Sequence, residues 1–197
     1  MIFPDFLPFS FLPRFTLPNV SPLHALASSL LELEPYKLVS YGEALRDAKR
    51  TLKGALDRAN VPPDVQHLYM VLAMIETTTL SPEQRDKSKD GTVKENVSLW
   101  NLSVDMVRTL GYQNDPRALN DVAATHEAAV ILLKAFHMWG YRRTINFIRG
   151  GRTAFEDNVS FGAARFRKAV WTGLHVMHRD PSLMWDDRRI EMKIPHV

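Results

Sequence analysis

Apolar side chains recur at spacings of three and four residues along most of the chain, and this period predicts α-helices. The clearest stretch follows Pro62 and Pro63, which suit the first turn of a helix, and its acidic Asp64 suits the positive N-terminal end. This helix is expected to end at Glu76, because three threonines, which are poor helix formers, follow it. Its apolar face is predicted to consist of Val65, Leu68, Val71, Leu72 and Ile75.

The same period predicts helices on both sides of this stretch, and glycines mark several of their ends. Gly111 and Gly140 each follow the last apolar position of a helix, and Gly150 with Gly151 ends the short helix that begins at Tyr141. β structure is limited to one small hairpin expected within residues 86–98. The predicted fold class is therefore all-α, with room for that small β-hairpin. The other predicted helices are Leu23–Leu33, Tyr41–Ala59, Val97–Leu110, Asn120 or Asp121 to Trp139, Tyr141–Arg149 and Ser160–His178.

The two ends of the chain differ in composition from its centre. Residues 1–23 alternate Phe or Leu with Pro, which disfavours both helix and central strand. We expect an extended arm whose aromatic side chains pack on the domain; a lipid- or partner-binding tail is the alternative. Residues 24–180 then form one helical domain, and residues 181–197 form a polar C-terminal tail.

Composition and charge exclude several classes of function. Cysteine is absent, so disulfides and thiolate chemistry are excluded. The net charge is +3, yet residues 134–197 contain 12 Lys and Arg against 6 Asp and Glu, a balance that suits an acidic partner or a solvated basic face. This part lacks the interleaved aromatics of single-strand binders, so nucleic acid is not expected, and no apolar run reaches transmembrane length. The N-terminus lacks a basic leader, so the sequence leaves the compartment and the oligomeric state open.

The polar loop after Glu76 contains half of a calcium-binding pattern. Asp86, Ser88 and Asp90 stand at the spacing of the first EF-hand ligands, followed by Gly91. The twelfth position, which must supply a glutamate, is Val97, so calcium is not expected. The seven histidines form no zinc-binding spacing. We therefore predict no metal and no cofactor.

Glu76 is the strongest candidate for chemistry. A carboxyl at the end of an apolar helix is partly desolvated, which raises its pKa. A glutamic acid that stays protonated near neutral pH can act as a general acid. The plainer interpretation is that Glu76 is the first solvated residue after a core helix.

The order of these features resembles the lysozyme superfamily, most closely the soluble lytic transglycosylases and goose-type lysozymes. Glu76 matches the family's catalytic acid at a helix end, and Ser88 and Gly91 match its loop residues. Residues 98–101, Ser-Leu-Trp-Asn, match the Gly-Leu-Met-Gln segment, and residues 147–150, Phe-Ile-Arg-Gly, stand where Tyr-Asn-Ala-Gly is expected. The match spans residues 62–178.

The resemblance implies a lysozyme-like helical domain that cleaves a β-1,4-linked amino-sugar polymer such as peptidoglycan or chitin. Glu76 would protonate the glycosidic oxygen, and either Asp86 or Asp90, or the substrate's own acetamido group, would complete the reaction. Trp100 would stack on a sugar, unless it is a core tryptophan, and Asn101 would bind an N-acetyl group. Ser88 and Phe147 complete the implied substrate-binding set.

Three alternatives stay open. The chain could be a catalytically inactive lysozyme-like module that binds glycan or protein. It could belong to a chitinase- or chitosanase-like branch that pairs a glutamate with a loop carboxylate. Last, it could be a helical interaction protein that uses its basic C-terminal third.

Overall fold

The computed structural model describes residues 35–77, 80, 96–157 and 161–192. The predicted arm 1–23, the predicted helix Leu23–Leu33 and the loop with Asp86, Ser88 and Asp90 lie outside these residues. The predicted fold class is confirmed, because 71% of the described residues are helical and the β structure is small.

Five α-helices form the described part of the chain. Gly140 and Gly151 have φ angles of +75° and +64°, so they break the fourth helix at the glycines that the sequence marks as stops. The helices are α1 Glu43–Arg58, α2 Pro63–Glu76, α3 Val104–Thr109, α4 Thr125–Asp157 and α5 Phe161–Arg179. Short 3-10 turns at Pro116–Asn120, Val122–Ala124 and Pro181–Met184 connect or follow them.

The second helix lies at the centre of the fold. Its predicted bounds are confirmed. The sequence predicted one apolar face, whereas in the structure the helix is buried on almost every side. Helices α1 and α5 and the C-terminal strand all contact it. Its buried side chains are Val65, Gln66 and every residue from Leu68 to Met74.

The helix predicted at Val97–Leu110 is shorter in the structure. Strand β2, Asn96–Val97, pairs antiparallel with strand β3, Leu102–Ser103, and α3 begins only after them. The reason is local: Ser98 and Asn101 turn the chain with φ angles of +68° and +55°, which a helix cannot contain. A hairpin was expected slightly earlier, within residues 86–98.

A second two-stranded sheet joins the two ends of the described chain. It shows that the predicted C-terminal tail, residues 181–197, begins too early. The pairing of β1, Tyr36–Ser40, with β4, Arg188–Met192, is antiparallel. Leu183 and Ile190 are buried in the core, so residues 181–192 belong to the domain. Lys49 explains part of this attachment, because its buried ammonium donates to the carbonyls of Leu183 and Arg188, both at 2.6 Å.

No helix in the described part of the chain has both the length and the apolar character that crossing a membrane requires.

Replacing Gly173 tests how closely α2 and α5 approach each other. A Cβ at Gly173 would lie 2.5 Å from Val71 Cγ1, and the β-branched Val71 has little rotamer freedom to move away. Gly173→Ala should therefore destabilise the protein by about 1–3 kcal/mol, although alanine favours helices. Val71→Ala in the same chain should recover part of the loss in urea unfolding. A stabilising Gly173→Ala would contradict the close contact.

Replacing Lys49 tests the attachment of the C-terminal segment. Lys49→Met keeps the volume but leaves one buried and one partly buried carbonyl, and the carboxylate of Asp186, without their cationic donor. We therefore expect a loss of about 3–5 kcal/mol in unfolding free energy. The control is Arg50→Met on the same helix, because Arg50 forms an exposed pair with Asp47. That change should stay within about 1 kcal/mol. Equal losses of unfolding free energy in the two variants would show that the hydrogen bonds of Lys49 stabilise the protein no more than an exposed ion pair does.

Candidate functional site

Glu76 is the last residue of α2, where the burial of that helix ends. Thr77 leaves the helix in an extended conformation, and its N–H and hydroxyl both donate to the carbonyl of Ala73, each at 2.9 Å. The Glu76 side chain is half-buried. The predicted position of the carboxyl, at the end of an apolar helix, is therefore confirmed. That its pKa is raised stays a prediction.

Asn101 contacts this carboxyl directly. Its Nδ2 donates to Glu76 Oε2 at 2.9 Å from the turn between β2 and β3. The positive φ of Asn101 is one that asparagine tolerates better than most residues. The structure thus brings together two of the predicted site residues. The predicted contact of Asn101 with a substrate N-acetyl group is a separate matter and stays a prediction.

Trp100 has a structural position, which corrects the predicted sugar-stacking role. Its side chain is fully buried, its Nε1 donates to the carbonyl of Tyr69 at 2.9 Å, and the two rings meet edge to face at 5.5 Å. No ring face is open to a sugar, so the stacking prediction is wrong and the core interpretation is right. Because Trp100 anchors the hairpin on α2, it also fixes where the next residue, Asn101, can reach.

Asn120 and Ser98 support the same turn from the other side. The Asn120 Oδ1 accepts the N–H of Ser98 at 2.8 Å, and the Ser98 Oγ accepts the N–H of Trp100 at 3.3 Å. The sequence suggested Asn120 or Asp121 as the cap of the following helix. Instead Asn120 holds the hairpin, Asp121 caps a 3-10 turn through the N–H of Ala123, and α4 begins at Thr125.

Phe147 also differs from its predicted role. Its ring is 5% exposed, stacks on Trp139 at 5.4 Å and meets Phe155 edge-on at 5.7 Å. Trp139, Phe147 and Phe155 all belong to α4 and contact one another, so the described contacts of Phe147 are with other aromatic rings of the protein. A ring so enclosed has no face for a sugar, and the predicted substrate contact is wrong. Asp86, Asp90 and Ser88 lie outside the described residues, so their roles stay predictions.

A cleft of about 250 Å³ opens beside the last turn of α2. The sequence analysis did not predict this cleft, because its lining combines residues near the start of the domain with residues of the segment that was interpreted as a tail. The only signal was the alternation of polar and apolar residues after Asp187, which is typical of a half-buried strand. The lining residues are Tyr41, Met74, Ile75, Arg189, Ile190, Glu191 and Met192.

Three of these residues form a polar cluster. Arg189 is 9% exposed, donates through Nη2 to the carbonyl of Met74 and lies 5.9 Å from the ring centre of Tyr41. The Tyr41 hydroxyl donates to Glu191 Oε1, and Lys37 pairs with Glu191 Oε2 at 2.9 Å. The hydrogen bond from Tyr41, reinforced by Lys37, holds the pKa of Glu191 below its ordinary value, so this carboxylate stays ionised. Burial lowers the pKa of Arg189, and Tyr41 and Glu191 oppose that effect.

Comparison of the sequence with protein-family models and with curated proteins finds no match. The arrangement of residues therefore carries the functional argument. It contains a half-buried carboxyl with an amide donor on one oxygen, next to a cleft with a buried guanidinium. Such a carboxyl can deliver or accept a proton.

Replacing Asn101 tests its contact with Glu76. Asn101→Asp keeps the shape and the tolerance of a positive φ, but it replaces a donor by a second carboxylate. We expect the pKa of Glu76 to rise, because a hydrogen bond to the charged form is lost and a like charge is gained. A carboxyl-carbon NMR titration measures it, and Asn114→Asp, at an exposed position, controls for charge alone. An unchanged titration of Glu76 would mean that the two side chains do not meet in solution.

Proposed function

We propose that the protein is a glycosidase or lytic transglycosylase that cleaves a β-1,4-linked amino-sugar polymer, either peptidoglycan or a chitin-like chain. Glu76 is the general acid. The single observation that carries the proposal is the half-buried Glu76 carboxyl at the end of a buried helix, with Asn101 donating to its Oε2 at 2.9 Å. The order of sequence features that resembles lytic transglycosylases and goose-type lysozymes supports the same function.

The hydrogen bond from Asn101 decides which oxygen of Glu76 carries the proton. An oxygen that accepts an amide N–H has the character of a carbonyl oxygen, so the acidic proton would be on Oε1. This oxygen is buried in the structure, so it would have to become accessible before a glycosidic oxygen could meet it. Glu76 would deliver this proton to the glycosidic oxygen as the C–O bond breaks and an oxocarbenium-like centre forms. The carboxylate that remains is then stabilised by the Asn101 amide, because hydrogen bonds to a charged acceptor are stronger than those to a neutral one.

The second half of the reaction needs a group that stabilises or attacks the sugar cation. Asp86 or Asp90 would do so in hydrolysis, where a second carboxylate acts as nucleophile or base. With Glu76 alone, the substrate's own acetamido group would assist.

One observation favours a second candidate function, a catalytically inactive lysozyme-like module that binds glycan or protein. Trp100 and Phe147, the two aromatic residues expected to touch substrate, are both enclosed in the core. An inactive module would keep the fold and the Glu76–Asn101 contact for structural reasons, and Glu76→Gln would then change binding little.

The decisive test compares the parent protein with Glu76→Gln on peptidoglycan and on chitin. Glutamine keeps the size of the side chain but cannot deliver a proton, so soluble fragments should appear about a hundredfold to ten-thousandfold more slowly. The matched control is Glu127→Gln, because Glu127 is also half-buried and accepts one hydrogen bond, from Tyr112 at 3.1 Å. It should retain parental rates.

Two results would contradict the proposal in different ways. If the parent cleaves a polymer and Glu76→Gln cleaves it equally fast, Glu76 is not the acid. If the parent binds a polymer and cleaves none, the inactive module is the right function. Thermal unfolding of both variants, expected to differ from the parent by no more than about 1 kcal/mol, separates lost chemistry from lost folding.

A further inference from the structure

The turn between β2 and β3 has an unfavourable backbone conformation. Ser98 and Asn101, its first and last residues, have φ angles of +68° and +55°, which lie in the left-handed region. Asparagine tolerates this region, whereas serine does so less readily. Such residues persist only where the surrounding structure holds them, so the turn needs support from outside its own four residues.

Asn120 supplies that support from another part of the chain. Its Oδ1 accepts the N–H of Ser98 at 2.8 Å, across 22 residues of sequence. Asn120 is the last residue of the 3-10 turn Pro116–Asn120, whose start is capped by the Asp115 side chain and whose Leu119 is fully buried. The side-chain oxygen that holds Ser98 therefore comes from a segment that is itself fixed in place.

Ser98 passes this restraint on to Asn101. The carbonyl of Ser98 accepts the N–H of Asn101 at 3.3 Å, and its Oγ accepts the N–H of Trp100, also at 3.3 Å. Asn101 in turn donates through Nδ2 to Glu76 Oε2 at 2.9 Å. A series of hydrogen bonds thus runs from Asn120 through the turn to the carboxyl of Glu76.

We propose that Asn120 is a positioning residue for the candidate acid, because it keeps the turn in the conformation from which Asn101 reaches Glu76. The proposal rests on the proposed function only where it calls Glu76 an acid, since the hydrogen bonds do not depend on any reaction. The buried Trp100 fixes where the turn lies on α2, and Asn120 fixes the conformation of the turn at Ser98. Without the Asn120 oxygen the turn would be free to leave the left-handed region, and the Asn101 amide would turn away from the carboxyl.

The test follows the side-chain amide of Asn101 by NMR while the carboxyl of Glu76 is titrated. In the parent protein the Asn101 signal should move with the ionisation of Glu76, because the two groups share a hydrogen bond. Asn120→Leu keeps a similar size but loses the acceptor, so in this variant the Asn101 signal should no longer follow Glu76. The pKa of Glu76 should rise in the same variant, since a hydrogen bond to the charged form is lost.

Two further variants separate positioning from a general loss of structure. Asn120→Asp retains an oxygen that can accept the same N–H, so the parental response of the Asn101 signal should return. Asp121→Leu removes a bond of the same kind from the neighbouring residue, the 2.8 Å bond with the N–H of Ala123, and should leave the response unchanged. If Asn120→Leu does not fold, Asn120→Ser, with its shorter side chain, takes its place.

Cleavage assays distinguish this proposal from the proposed function. If the parent cleaves a polymer, Asn120→Leu should be slower by up to about a hundredfold, because a misplaced reacting group loses rate steeply. A raised pKa keeps Glu76 protonated to higher pH, so the pH at which cleavage declines should move upward. A parent that cleaves nothing while its Asn101 signal follows Glu76 contradicts the proposed activity alone. A signal that ignores Glu76 in the parent, follows it equally in Asn120→Leu, or is lost equally in Asp121→Leu would overturn the positioning role.

Discussion

The enclosure of α2 is the constraint on which the rest of the structure depends. A helix buried on almost every side has little water at its surface, so the unpaired carbonyls of its last turn, and the second lone pairs of its other carbonyls, can be reached only by donors from the protein. Trp100 donates to the carbonyl of Tyr69, and Arg189 donates to the carbonyl of Met74. Each of these donors comes from a different β element. The hairpin and the terminal sheet are therefore held to the same helix by polar bonds as well as by apolar contacts.

The enclosure of α2 ends at its last two residues, Ile75 and Glu76. From Leu68 to Met74 every side chain of the helix is buried, and at Glu76 the side chain reaches partly into solvent while Asn101 donates to it. A carboxyl further inside would cost several kcal/mol to ionise, and one further outside would behave like any surface glutamate. Only the boundary combines partial burial of a carboxyl with contact to solvent, and the buried Trp100 fixes the position of the next residue, Asn101, at that boundary.

Local signals account for what the sequence predicts well. Two prolines and three threonines bound α2 correctly, and Gly140 and Gly151 break α4 where the glycines indicate, because these effects act within a few residues. The features that the sequence analysis did not predict depend on contacts between residues far apart in the chain. Nothing near β4 in sequence shows that it pairs with β1, since their partners lie about 150 residues apart. Trp100 and Phe147 illustrate the same limit: their residue type suits both a core and a sugar, and only tertiary packing distinguishes the two.

Arg189 connects the cleft to the end of α2 in a way that neither feature shows alone. Its Nη2 bond reaches the carbonyl of Met74, two residues before Glu76, and the rest of the side chain lines the cleft. The buried guanidinium of a residue from the last strand thus supports the end of the central helix, and the C-terminal segment and the last turn of α2 hold each other in place.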